Sequence, residues 1–173
     1  MAISTNIDRL HRGMWFIVTA LTGVLAGFLI SHSIMLGRFF DWVLAAGNNA
    51  FFADTFAPFR AATHANVHYN AVLWLSLIAG LLWLVSSFVL QRDRILALTA
   101  GLSSFWVGAV FFASGFAEAE AAVCSGVADD TLRELYAVLN LPMHRAFALA
   151  YTLAFSTLLW AGTRTVRPHS TAS

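Results

Sequence analysis

The 173-residue chain is 59% hydrophobic and 11% charged, with a mean hydropathy of +0.72 and a net charge of +1. A soluble domain of this size carries roughly 25% charged residues, so the composition excludes an ordinary soluble globule, and the near-zero charge gives no electrostatic case for nucleic acid. The single cysteine, Cys124, excludes an internal disulfide and a paired-cysteine metal site.

Arg9 and Arg12 lead into an apolar run from Met14 to Leu36. That run is too long for the apolar region of a signal peptide, and it is read as a retained span, since a helix needs about 20 apolar residues to cross a bilayer. Gly37-Arg38 ends it. Phe39 to Leu44 then reads as a helix continuing into the interface, broken at Gly47-Asn48-Asn49. Phe51, Phe52, Phe56 and Phe59 suit the headgroup level, where aromatic rings are favoured. Pro58 is placed to open the next helix, because proline is tolerated in a first turn. The second span is read as Ala71 to Leu90, and the short Gln91-Arg92-Asp93-Arg94 turn makes it an antiparallel neighbour of the third, Ile95 to Ala117, which Glu118 ends. Thr131-Leu132-Arg133-Glu134 has the pattern of a capping box. It opens a predicted short amphipathic helix with Leu132, Leu135, Tyr136 and Leu139 at helical spacing. Pro142 is expected to kink that helix into a fourth span, Met143 to Gly162, followed by a polar tail.

The expected fold is therefore all-α: one transmembrane domain over residues 1–173, a four-helix bundle with short interfacial helices on its outer side. Small residues support close helix packing, with Gly23, Gly27 and Ser31 on the first span and Ala97, Gly101, Ser104, Gly108 and Gly115 on the third. All ten basic residues are arginine. Arg9, Arg12, Arg92, Arg94, Arg164 and Arg167 fall on one side, and Arg38, Arg60, Arg133 and Arg145 on the other. The positive-inside rule places both termini in the cytoplasm and the chain in the cell (inner) membrane.

Ionisable side chains gather at one predicted depth. At about 1.5 Å per residue, His32 and His144 each lie roughly 28 Å above the arginine-rich boundary, and His68 and Glu118 near 35 Å. His64 and His68, four residues apart, are predicted to share a face that continues through Ala71, Leu75, Ala79 and Leu82. His144 shares a face with Asn140, Ala148, Tyr151 and Phe155. Glu118 falls on the small-residue side of the third span and Glu120 points elsewhere. His32 lies well over 100° from the glycine stripe of its helix, so its facing stays open. Taken singly, each group is explained by a side chain snorkelling to the headgroups. Together they make a candidate site, because ionisable groups near lipid are costly.

The residue types allow several chemistries. His32, His64, His68, Glu118 and His144 are candidate ligands for iron, copper or zinc, and a haem between two histidines is a further option. Without metal, His68 or His144 serves as a general base oriented by Glu118, with Arg145 or Arg60 holding an anion. His11 and His169 sit in terminal segments at the opposite side and are assigned no role.

The layout resembles the anthrone-oxygenase-like family of small four-helix membrane proteins. The resemblance rests on Gly23-Val24-Leu25-Ala26-Gly27-Phe28 in the first span, Phe59-Arg60 before the second, and Met143-His144-Arg145 opening the last. The family more often carries a tryptophan several positions before that histidine, where Leu139-Asn140-Leu141-Pro142 stands here. The resemblance implies oxidation of a hydrophobic aromatic substrate by molecular oxygen. The leading expectation is a membrane oxidoreductase, oxygenase-like, acting on an apolar small molecule that enters from the lipid bilayer. The alternative is a structural or assembly subunit of a larger membrane complex. A transporter ranks third, since a conduction path needs polar or broken positions near the midplane, where Leu75, Ala79, Phe105 and Trp106 stand.

Overall fold

Away from water, a long apolar run can satisfy its backbone polar groups internally by forming a helix. The computed structural model describes residues 2–165, and these contain no strand. Helix α1 (Ala2–Ser31) passes through a π-helical turn (His32–Leu36) into α2 (Gly37–Ala45) without a break. A second π turn (Phe52–Phe56) leads into α3 (Ala57–Thr63), followed by α4 (Ala65–Leu90), α5 (Arg94–Ala113), α6 (Phe116–Cys124) and α7 (Asp130–Thr165). Among the described residues, three helical stretches are long and apolar enough to cross a membrane: Asn6–Ala45, Val67–Leu90 and Arg94–Ala113. Arg167 and His169 lie outside the described residues.

The four long helices pack in a ring. Helix α1 lies against α4 and α7, and α5 lies against the same two. One end of the ring is closed by the α4–α5 turn and the start of α1. The other carries α2 and α6, which pack on α7, and the second π turn, which packs on α6. These are called the turn end and the capped end below.

Several boundaries differ from the sequence reading, each for a local reason. The third span stops at Ala113, because Ser114 turns the chain and Gly115 adopts φ +76°. Glu118 thus belongs to a separate helix, α6. The cap before α7 is Asp129, whose Oδ1 accepts the Leu132 N–H at 2.8 Å, in place of the expected Thr131–Glu134 box. Helix α7 then runs unbroken through Pro142, where a kink between two helices was expected.

Buried faces also differ. On α4 the inward residues are Ser76, Ala79, Gly80, Trp83 and Ser87, while Ala71, Leu75 and Leu82 are exposed. On α1, Gly23 packs under the Phe155 ring, but Gly27 has open space beside it and Ser31 is exposed. The buried face of α1 instead runs through Val18, Thr22, Leu25, Leu29 and His32. Buried hydroxyls bond to their own helix, as Thr22 to the Val18 carbonyl (2.7 Å) and Ser87 to the Trp83 carbonyl (2.8 Å). Large apolar side chains such as Phe16, Trp74, Phe105, Phe112 and Leu149 point outward. Small and hydroxyl-bearing residues inside with bulky residues outside is a pattern suited to helices packed in lipid.

Candidate functional site

The π turn shapes the first half of the site. The Gly37 N–H donates to the His32 carbonyl, five residues back, and the turn buries the consecutive residues His32 and Ser33. Single π turns recur at functional sites. A Cβ at Gly37 would press on the His32 ring and on Leu141 at 3.2 Å each, so glycine allows the close approach of this turn to α7. The open question of His32 is settled by this geometry: it faces the bundle interior and is 6% exposed.

His144, 5% exposed on α7, meets it face to face. The two imidazoles stack with centroids 3.7 Å apart and planes 13° apart. The edge of Phe116 meets His144 at 5.5 Å, and Phe28 and Phe40 flank His32 at 6.0 and 6.4 Å. His144 Nδ1 lies 2.8 Å from the Asn140 carbonyl. A carbonyl only accepts, so Nδ1 carries the proton and Nε2 of the neutral ring holds the lone pair.

Asn140 is fully buried and ties this layer together. Its Nδ2 donates to the Gly37 carbonyl at 2.9 Å and to Asp41 Oδ1 at 2.7 Å. Its side chain lies near the His32 ring, but the two do not reach hydrogen-bond geometry. Both ring nitrogens of His32, Asn140 Oδ1, and the hydroxyls of Tyr136 and Tyr151 are buried without a hydrogen-bond partner. Native proteins leave few such groups unpaired, and each calls for a water, a ligand or a catalytic role. Apart from the Trp83 indole nitrogen on α4, which is also unpaired, they are grouped along one face of α7 and the turn that meets it.

The expected five-ligand set does not assemble. His64 and His68 are both exposed. His64 adopts φ 52° between α3 and α4, so it lies outside the helix that carries His68 and the shared face is lost. Glu118 is exposed in the first turn of α6, away from the role of orienting His144. Arg145 is exposed and acts at a distance on Asp41. Among the described residues, no three His, Cys, Asp or Glu side chains lie close enough to hold one metal ion. A haem iron ligated by both His32 and His144 would stand between their rings, where a 3.7 Å stack leaves no space.

The carboxylate drawn inward at the capped end is Glu120, two residues from the one expected. It is half-buried, and burial pushes its carboxyl up to about 7 while Arg60 pulls the other way. Burial, with Glu120 nearby, pushes the Cys124 thiol up to about 12. Tyr136, stacked on Phe116 at 5.7 Å, is raised by burial and by the negative neighbours Cys124, Glu120 and Asp41. Asn140 was visible in sequence as the residue one turn before His144. Glu120 carried no such signal, because its direction depends on the break at Gly115.

At the turn end His11 is buried, in contrast to the idle terminal residue expected from sequence. Its Nδ1 lies 2.9 Å from Ser86 Oγ and its Nε2 3.2 Å from Asp93 Oδ2. The three residue types match a hydrolase triad, but the Ser86 hydroxyl donates to the Trp83 carbonyl within its own helix. The arrangement ties α1 to the α4–α5 turn.

No family model matches the chain, and no curated protein and no solved structure matches it.

Proposed function

We propose that the chain is a four-helix membrane bundle that performs proton-transfer chemistry on an apolar substrate at the His32–His144 pair. The observation that carries this reading is the fixed tautomer of His144. Its Nδ1–H is held by the Asn140 carbonyl, which leaves a Nε2 lone pair in an aromatic, water-poor setting. His32, stacked against it with both nitrogens unpaired, offers a second acceptor or a donor to an oxygen of the substrate. Phe28, Phe40 and Phe116 favour an aromatic guest.

The resemblance to anthrone-oxygenase-like proteins supplies the substrate class, an enolisable aromatic ketone. His144 takes a proton from the methylene carbon that faces the carbonyl across the central ring and is conjugated to it through the flanking aromatic rings, and His32 donates to the oxygen on which the negative charge grows. The electron-rich enolate then reacts with dioxygen: the methylene carbon becomes a carbonyl, one oxygen atom enters it, and the other leaves as water. The proton-transfer step can be tested alone. Anthrone in deuterated buffer, without oxygen, should exchange its methylene protons faster with the protein than with empty detergent micelles, as read by NMR. His144→Gln should remove at least nine-tenths of that excess and His68→Gln none of it. Exchange equal to the micelle blank would overturn the reading, and the assembly-subunit alternative would then rest on partners that copurify.

A further inference from the structure

The turn end holds an open feature that the histidine pair does not use. Helix α1, the α4–α5 turn and the end of α7 leave a cleft of about 870 Å³ between them. Asp8, Arg12, Gly13, Trp15, Arg92 and Leu96 are among its walls. Both acids already have partners: Arg92 Nη1 lies 2.9 Å from Asp8 Oδ1, and His11 Nε2 lies 3.2 Å from Asp93 Oδ2. The arginines keep spare capacity. A guanidinium has five donors; Arg92 gives one nitrogen to Asp8 and is 63% exposed, and exposed Arg12 gives only Nε, to the Asp8 carbonyl at 3.4 Å. Two guanidinium forks thus border a cleft whose apolar walls include the part-buried Trp15 and Leu96.

A molecule that suits this lining has an anionic, planar-accepting head and an apolar continuation. Guanidinium forks match phosphate oxygens in pairs. Tryptophan is favoured at headgroup level, and basic pockets between membrane helices take lipid phosphates. Arg12 and Arg92 also belong to the arginine-rich side of the chain, so the cleft opens where headgroups would lie. We infer that this cleft is a binding site for an anionic phospholipid, with Arg12 and Arg92 on its phosphate and Trp15 and Leu96 against its glycerol and first acyl carbons. The inference rests on the chain being a membrane protein and is independent of the reaction at His144.

Gly13 provides the test. Nothing lies within 4 Å of a Cβ built there, and Gly13 is itself part of the cleft wall, so a phenylalanine side chain can be introduced there to obstruct the cleft. The full chain in detergent is titrated with phosphatidylglycerol, phosphatidylcholine or inorganic phosphate, and adducts are counted by native mass spectrometry. One phosphatidylglycerol should bind at least tenfold more tightly than phosphatidylcholine, and inorganic phosphate should not be retained. Arg12→Gln should weaken that adduct about tenfold, Gly13→Phe should abolish it, and Gly13→Ala should keep it, with helix content by circular dichroism unchanged. If Gly13→Phe does not fold, the exposed Arg12→Gln decides. Wild-type adducts in every folded variant, equal binding of phosphatidylcholine, retention of inorganic phosphate without lipid preference, or no adduct on the wild type would each overturn the proposal. Failure of the membrane reading is told apart by alkaline extraction: a chain released from membranes without detergent refutes that reading, and a retained chain without the adduct refutes only the lipid site.

Discussion

Replacing Asn140 by leucine keeps the branching and heavy-atom count of asparagine and deletes the donor that joins α7 to the π turn. Two hydrogen bonds are lost, to the Gly37 carbonyl at 2.9 Å and to Asp41 Oδ1 at 2.7 Å. The first is between neutral groups and contributes about 1 kcal/mol. The second has a carboxylate acceptor and falls at about 1.5–3 kcal/mol, taken at the low end because Asp41 is half-buried and keeps some contact with water. The expected loss is about 2–3 kcal/mol of folding stability, read from reversible unfolding in mixed micelles. A double-mutant cycle with Asp41→Ala isolates the second bond and should return a coupling of about 1 kcal/mol or more. Asn140→Leu within about 0.5 kcal/mol of wild type, or a cycle with no coupling, would show that the network does not hold the site together.

Other outcomes follow from the remaining polar groups. Glu120 has its midpoint raised from 4.5 to about 7. The folded state therefore binds more protons than the unfolded state between those values, and stability should fall as pH rises through that window. The shift corresponds to about 3 kcal/mol at full strength, and about 1–2 kcal/mol is expected for a half-buried group; Glu120→Gln should flatten the profile, and an unchanged slope would remove Glu120 as its source. His11→Ala should cost about 2 kcal/mol, since it breaks the contacts to Ser86 and Asp93 and uncovers Trp83; a neutral variant would return His11 to the idle role read from sequence. Cys124, buried with its thiol pushed up to about 12, should resist maleimide at neutral pH in the folded protein and react once the chain is unfolded. Rapid labelling of the folded chain would place it elsewhere.

The long helices and the α4–α5 turn were legible because hydropathy and the Gln91–Arg94 charge cluster mark them directly. Facing was much less legible. In water, Leu75 and Leu82 would mark the inside of α4, but in lipid both sides of a helix tolerate leucine, and Ser76 and Ser87 turn inward instead. His64 misled for a different reason: it takes a left-handed conformation that ordinarily favours glycine, and no residue type there announces the break. The two glutamates exchanged roles because the turn at Ser114–Gly115 restarts the helical phase, so counting from the middle of α5 carries no information about α6. His144 and Asn140 kept their shared face because α7 continues through Pro142 without such a reset. The stack with His32 was out of reach of sequence alone, since it depends on one extra residue in the π turn.

The bond between Asn140 and Gly37 joins residues 103 positions apart, across the first and last of the long helices. During synthesis, α1 is made long before Asn140 and His144, so its buried imidazole meets its stacking partner only once the first half of α7 has been added. A ribosome stalled anywhere before α7 would hold a siteless intermediate. Any fragment that ends before the first half of α7 therefore lacks the site, however well its other helices form.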